Sequence, residues 1–145
     1  MSKVLEVTPP IRCSPDKFYD FFKNHMSDLL TVFPASFNSV QVLEGENGKV
    51  GCVKVWNFVA GGITQMIKLR AEAINDAERT ITYKAIEGDL MILYKVFQFT
   101  IAPGNGVAKW TIVYEKTSEL VPPPEIYGVF SISITEVVDL YLLTH

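Results

Sequence analysis

Between Phe37 and Lys116 the sequence keeps a period of two, and this limits the possible folds more than any other feature. Six runs alternate apolar with polar side chains: FNSVQVL, CVKVWNFV, ITQMIKLRAEAI, RTITYKAI, MILYKVFQFTIA and VAKWTIVYEK. Such alternation marks strands with one buried face. The breaks read EGENGKVG, AGG, NDAE, EGD and PGNG. They are turn-like and too short for crossovers, so neighbouring strands should run antiparallel. The opening KVLEVTPPIRC reads as one more strand. Pro9 and Pro10 restrict it to a sheet edge or an irregular stretch.

Ser14-Pro15-Asp16 reads as a helix start. Serine caps, proline suits the first helical position, and aspartate suits the positive end of the dipole. Phe18, Phe21 and Phe22 recur at helical spacing, and the helix should break near Asn24-His25. A second short helix, MSDLLTVF, should stop before Pro34. The last segment is rich in β-branched residues, so propensity does not choose between helix and strand. The charges choose helix: on a wheel, Glu125, Glu136 and Asp139 fall within about an 80° arc. Tyr127, Phe130, Ile134, Val137 and Tyr141 fall opposite. In a strand, Glu136 and Asp139 would point to opposite faces. The expected plan is therefore α+β: a seven-stranded, curved antiparallel sheet around a long C-terminal helix that begins at Glu125. The length, 145 residues, fits a single domain over residues 1–145.

Charge and composition exclude several functions. The net charge is −3, and the Lys and Arg residues form no basic run, which disfavours sequence-independent nucleic-acid binding. Cys13 and Cys52 make neither a metal-type pair nor a disulfide framework, so no metal is expected and the cytoplasm is the default location. The N-terminus carries no signal-peptide core, and no apolar run suggests a membrane span. The glycine-rich LEGENGKVG resembles a phosphate loop only superficially. A nucleotide loop needs Lys followed by Ser or Thr at a helix start. Here Val50 follows Lys49 and a strand comes next, so the glycines are read as turn residues of positive φ.

Five pieces in order, KFYDFFKN, VQVLEGENGKVG, ITYKAIEGDLMILYK, KWTIVYEK and the terminal YLLTH, resemble the plant major latex protein-like family. That family lies within the group of the birch pollen allergen and the pathogenesis-related class ten proteins. The resemblance covers nearly the whole chain. It implies a helix-grip fold, two short helices propping the long one, a rigid glycine loop, and a large apolar cavity between helix and sheet. It also implies small apolar or amphiphilic metabolites as ligands, with no cofactor.

Alternation then supplies a wall for that cavity. Ile67, Leu69, Ile81, Tyr83, Ala85, Phe97, Phe99, Trp110, Ile112 and Tyr114 share inward faces. On the fourth strand Ile63, Gln65, Ala71 and Ala73 belong to the same set. Trp56 and Phe58 share a face on the third strand. Phe22 comes from the first helix, and Phe130, Ile134, Val137 and Tyr141 from the last.

Two functions compete for such a wall. One is a carrier or sensor of an apolar plant metabolite. The other is a cofactor-free isomerase or cyclase of an already activated apolar intermediate, such as a monoterpenoid or iridoid enol or dialdehyde, or an alkaloid precursor. A shaped pocket can fold such a molecule and exclude water. Tyr83 can then offer a hydroxyl, and His25, at the helix break, a proton carrier. An upstream biosynthetic enzyme would be the protein partner in that case. Condensing enzymes of the norcoclaurine synthase type use a cavity lysine with a tyrosine and a glutamate nearby. Aligned on IEG and the preceding strand, those places hold Ile81, Ile67 and Leu69, which disfavours Pictet–Spengler chemistry. Ribonuclease chemistry needs paired acid–base groups and phosphate-binding cations, and neither is visible.

Overall fold

The computed structural model describes residues 1–145. Strand β1 (Lys3–Val7) is followed by helix α1 (Pro15–Asn24), a 3-10 turn (Met26–Asp28) and the single-turn helix α2 (Leu29–Val32). Then come β2 (Phe37–Glu44), β3 (Val53–Ala60), β4 (Ile63–Asn75) and β5 (Thr80–Gly88). A single turn of helix, α3 (Leu90–Leu93), leads into β6 (Tyr94–Gly104) and β7 (Val107–Lys116), and α4 (Glu125–Thr144) closes the chain.

The seven strands form one antiparallel sheet in the order β1-β7-β6-β5-β4-β3-β2. β1 and β2 are its edges, as the proline pair after β1 requires; Pro10 adds only a single bridge to Val107. The helix start at Ser14 forms as its residues dictate. The Ser14 hydroxyl accepts from the Lys17 N–H at 3.1 Å, and Pro15 opens α1.

Four local expectations are corrected. The run MILYK does not begin as a strand: Leu90 to Leu93 make the single turn α3, with Leu90 buried and Ile92 exposed. On β4 a bulge between Ala71 and Ala73 changes the phase, so Ala73 is exposed and Ile74 packs on the core instead. At the other end of β4, Ile63 lies beside the β3–β4 turn and is exposed. On α4 the buried line runs through Tyr127, Ser131, Ile134, Thr135, Val138 and Asp139. Val138 is fully buried where Val137 was expected, and Asp139 is buried rather than solvated.

Asp139 turns inward because it has work there. Its carboxylate accepts from the backbone N–H of Cys13 at 2.8 Å and of Arg12 at 3.0 and 3.1 Å. These donors lie in the irregular stretch after β1, which has no ladder partner for them. Burial pushes the carboxyl pKa upward. The bonds from Cys13 and Arg12 outweigh that, and the net displacement is downward. Burial, helped by Asp139, pushes the Cys13 thiol up to about 12 and leaves it unreactive.

By length and composition alone α4 is long and apolar enough to cross a membrane. Its apolarity has a simpler source, since it lies across the concave sheet and Gly128 lets it approach β1. A Cβ there would meet Leu5 at 3.2 Å and Val7 at 3.4 Å.

Candidate functional site: an aromatic cavity beneath the long helix

The space between sheet and α4 is a cavity of about 80 Å³. Seventeen residues line it, sixteen of them hydrophobic. The sheet supplies Trp56 and Phe58 from β3, Ile67 and Leu69 from β4, Phe97 and Phe99 from β6, and Trp110 and Ile112 from β7. Phe22 of α1 and Phe130 and Ile134 of α4 complete the part of the wall that alternation and helical spacing identify.

Besides Ile63, Gln65, Ala71 and Ala73 of β4, which do not line the cavity, six expected wall residues lie elsewhere. Ile81, Tyr83 and Ala85 of β5 face inward but do not line the cavity. α1 packs against β5 and β6, and its Phe22 carbonyl holds the Tyr83 hydroxyl. The Tyr83 hydroxyl donates to the Phe22 carbonyl at 2.6 Å, and burial pushes its pKa upward. Tyr83 borders instead a pocket of about 20 Å³ beneath the glycine loop. Tyr114 is buried at the other end of the sheet, edge-on to Tyr94. The Tyr94 hydroxyl is in turn bonded to the Pro122 carbonyl at 2.7 Å. Val137 is half-buried and off the cavity. Tyr141 lies in a surface groove, edge-on to Phe21 and stacked on His145. His25 is in the same groove, its ring half exposed and its Nε2 3.3 Å from an Asp20 oxygen.

Six lining residues were not assigned to the wall: Met26, Leu29, Phe37, Leu90, Tyr127 and Ser131. Most come from short turns and element ends, where no period identifies a face. Tyr127 was legible as inward on the α4 wheel. It brings one of the wall's two hydroxyls, which donates to Gln65 Oε1 at 2.7 Å. Burial raises its pKa, opposed by that bond. Ser131, the one lining residue that is not hydrophobic, donates to the Tyr127 carbonyl at 2.7 Å within its own helix. Thr135, a turn further on, accepts from the Trp110 indole at 2.8 Å and so fixes that ring.

The interior is much less open than expected. A site for a drug-sized molecule usually measures roughly 300–1,000 Å³, several times this void. The rings fill the difference. Phe130 lies parallel to Phe58 at 5.8 Å and to Phe37 at 5.6 Å, and Phe99 stacks on Trp110 at 5.8 Å.

The glycine loop between β2 and β3 is structural. Gly45, Gly48 and Gly51 all have positive φ. Asn47 Nδ2 donates to the Asn24 carbonyl at 2.8 Å, and Lys54 bridges Asn47 and Ser27. These bonds tie the loop to the end of α1, and burial lowers the Lys54 pKa there.

A curved antiparallel sheet gripping a long C-terminal helix over an apolar void defines the class of helix-grip cavity proteins. The model of the pathogenesis-related protein Bet v 1 family matches residues 1–145, and the chain belongs to that family. It is 34% identical over 145 residues to MLP-like protein 43 of Arabidopsis thaliana, a match covering 96% of this chain and 92% of that one. Ginseng major latex-like protein 151 from Panax ginseng superposes with a TM-score of 0.94 at 28% identity, covering 98% of each chain. Norcoclaurine synthase from Thalictrum flavum shares the fold, with a TM-score of 0.81 at 20% identity over all of this chain and 88% of that one.

Proposed function

We propose that this protein binds a small apolar or amphiphilic metabolite between the sheet and α4, as a carrier or sensor in the cytoplasm. One observation carries the reading: sixteen of the seventeen residues around an unfilled interior space are hydrophobic. A soluble core normally packs to crystal-like density, and a wall of rings around a void forgoes dispersion contacts that a ligand would restore. The small size of the void means that binding includes an expansion, by moving rings and the helix that carries some of them.

The test is a fluorescence titration with N-phenyl-1-naphthylamine, a neutral apolar probe. We expect saturable binding at one site. Ile134→Trp, which fills the space from α4, should weaken it at least tenfold. Absence of saturable binding, or a filled variant that binds as well as the parent, overturns the reading.

A second reading, catalysis of isomerisation or cyclisation without a cofactor, rests on Tyr127. Its hydroxyl is on the cavity wall and held by Gln65, where it can steady an oxyanion developing on an enol or aldehyde. Tyr83 and His25 lack this placement. Incubation with an activated terpenoid dialdehyde, comparing parent with Tyr127→Phe, tests it. An unchanged product ratio ends the catalytic reading and leaves the binding one intact.

A further inference from the structure

Phe130 separates two spaces. It lines the apolar cavity and also a groove of about 490 Å³ on the surface. No other residue belongs to both walls. The groove runs between the end of α2, the β3–β4 turn and the first turns of α4. Phe130 is only half-buried, and its ring packs against those of Phe33, Phe37 and Phe58 with no hydrogen bond to fix it.

Resting on the binding reading above, we propose that Phe130 is the partition of a single elongated site, and that this site takes a neutral, hydroxyl-bearing apolar molecule rather than a carboxylate. Swinging the Phe130 ring to another rotamer joins void and groove into a space of the size small-molecule sites have, roughly 300–1,000 Å³. The apolar body then lies against Trp110 and Trp56, and the polar end emerges beside Ser36, Ser133 and Glu125.

The charges along this path select the polar end. Neither wall contains Lys, Arg or His, and Glu125 is the only ionisable carboxylate on either. A ligand carboxylate would face Glu125 across low-dielectric walls with no cation to offset the repulsion. The positive end of α4 does not supply one. Three of its first four N–H groups, those of Glu125, Tyr127 and Gly128, are already bonded to the carbonyls of Pro123 and Pro124, and the Glu125 carboxylate on the same turn offsets what the Ile126 N–H leaves. A hydroxyl, by contrast, can donate to Glu125 and accept from either serine.

The turn opposite is built for close approach. Gly61 and Gly62 both have positive φ, as a two-residue hairpin requires. A Cβ on Gly61 would come within 3.3 Å of Ile126.

The experiment uses N-phenyl-1-naphthylamine in stopped flow, and its displacement by 1-decanol or decanoate at pH 8. Phe130→Ala should raise the probe's association rate at least tenfold, and Phe130→Trp should lower it. In the parent, decanol should displace the probe at a concentration at least tenfold below decanoate. Glu125→Lys should improve decanoate at least fivefold while decanol stays within twofold. If the probe binds saturably but both Phe130 variants keep the parent's rate, the partition is wrong and the binding reading survives. If Glu125→Lys leaves decanoate unchanged, the ligand class is wrong. If the probe never binds, both readings fall. Should Phe130→Ala lose its far-ultraviolet circular dichroism, Phe130→Trp decides alone.

Discussion

The two halves of α4 are held in different ways. The C-terminal half is tied by directed bonds. Asp139 holds the N–H groups of Arg12 and Cys13, Thr135 holds the Trp110 indole, and Val138 is fully buried between them. The N-terminal half has no side-chain cap at Pro124; one directed bond, from Tyr127 to Gln65, joins it to the sheet, and the rest of its face lies on stacked rings over unfilled space. Directed bonds fix one geometry, whereas ring contacts survive sliding and tilting. The helix is thus tied by several directed bonds at one end and by a single one, with ring contacts, at the more adjustable other.

That contrast can be broken by mutation. The largest effect should come from the anchored side. Phe18 is fully buried on α1, packed against Phe22, so Phe18→Ala should cost about 3–5 kcal/mol in urea unfolding. A loss below about 1 kcal/mol, at the low end for any buried truncation, would mean that this end is loose as well. Asp139→Ala strands one buried and one part-buried donor and should cost about 2–3 kcal/mol by the same measurement. Acid should weaken the same anchor. The folded carboxyl lies below its ordinary value of about 3.9, so its contribution is complete above that pH and fades as pH falls through the folded value. Asp139→Asn should therefore lose less stability than the parent between pH 5 and pH 3 (values spanning the roughly 3.9 reference). Parallel curves for the two proteins would remove the carboxylate from this account. The smallest effect belongs to the adjustable side: Phe130→Leu should cost about 1 kcal/mol or less. A loss matching Phe18→Ala would make both halves of the helix equally rigid.

The strands were legible because burial of one face imposes a period of two on the residues themselves. Trp56, Ile67, Phe97 and Trp110 could be placed on the cavity wall for that reason. Alternation reports the face of a residue and not its height along the strand. Ile81, Ala85 and Tyr114 are therefore buried yet miss the void. Asp139 misled because a helical wheel treats charge as a mark of solvent. The donors that draw it inward lie 126 and 127 residues away in sequence. The volume of the void was invisible for a different reason. It depends on how rings from separate elements stack, and a list of apolar positions is the same for a hollow and for a filled core.

Both tryptophans of the chain, Trp56 and Trp110, border the inner space. The protein's tryptophan emission therefore comes wholly from the chamber that a guest would enter. Trp110 is pinned through its indole nitrogen, while Trp56 touches Phe37 edge-on at 5.7 Å, one ring away from the Phe130 partition. Occupancy should alter the surroundings of Trp56 more than those of Trp110. Replacing each in turn with phenylalanine would show at which end of the chamber a guest settles, with no added dye.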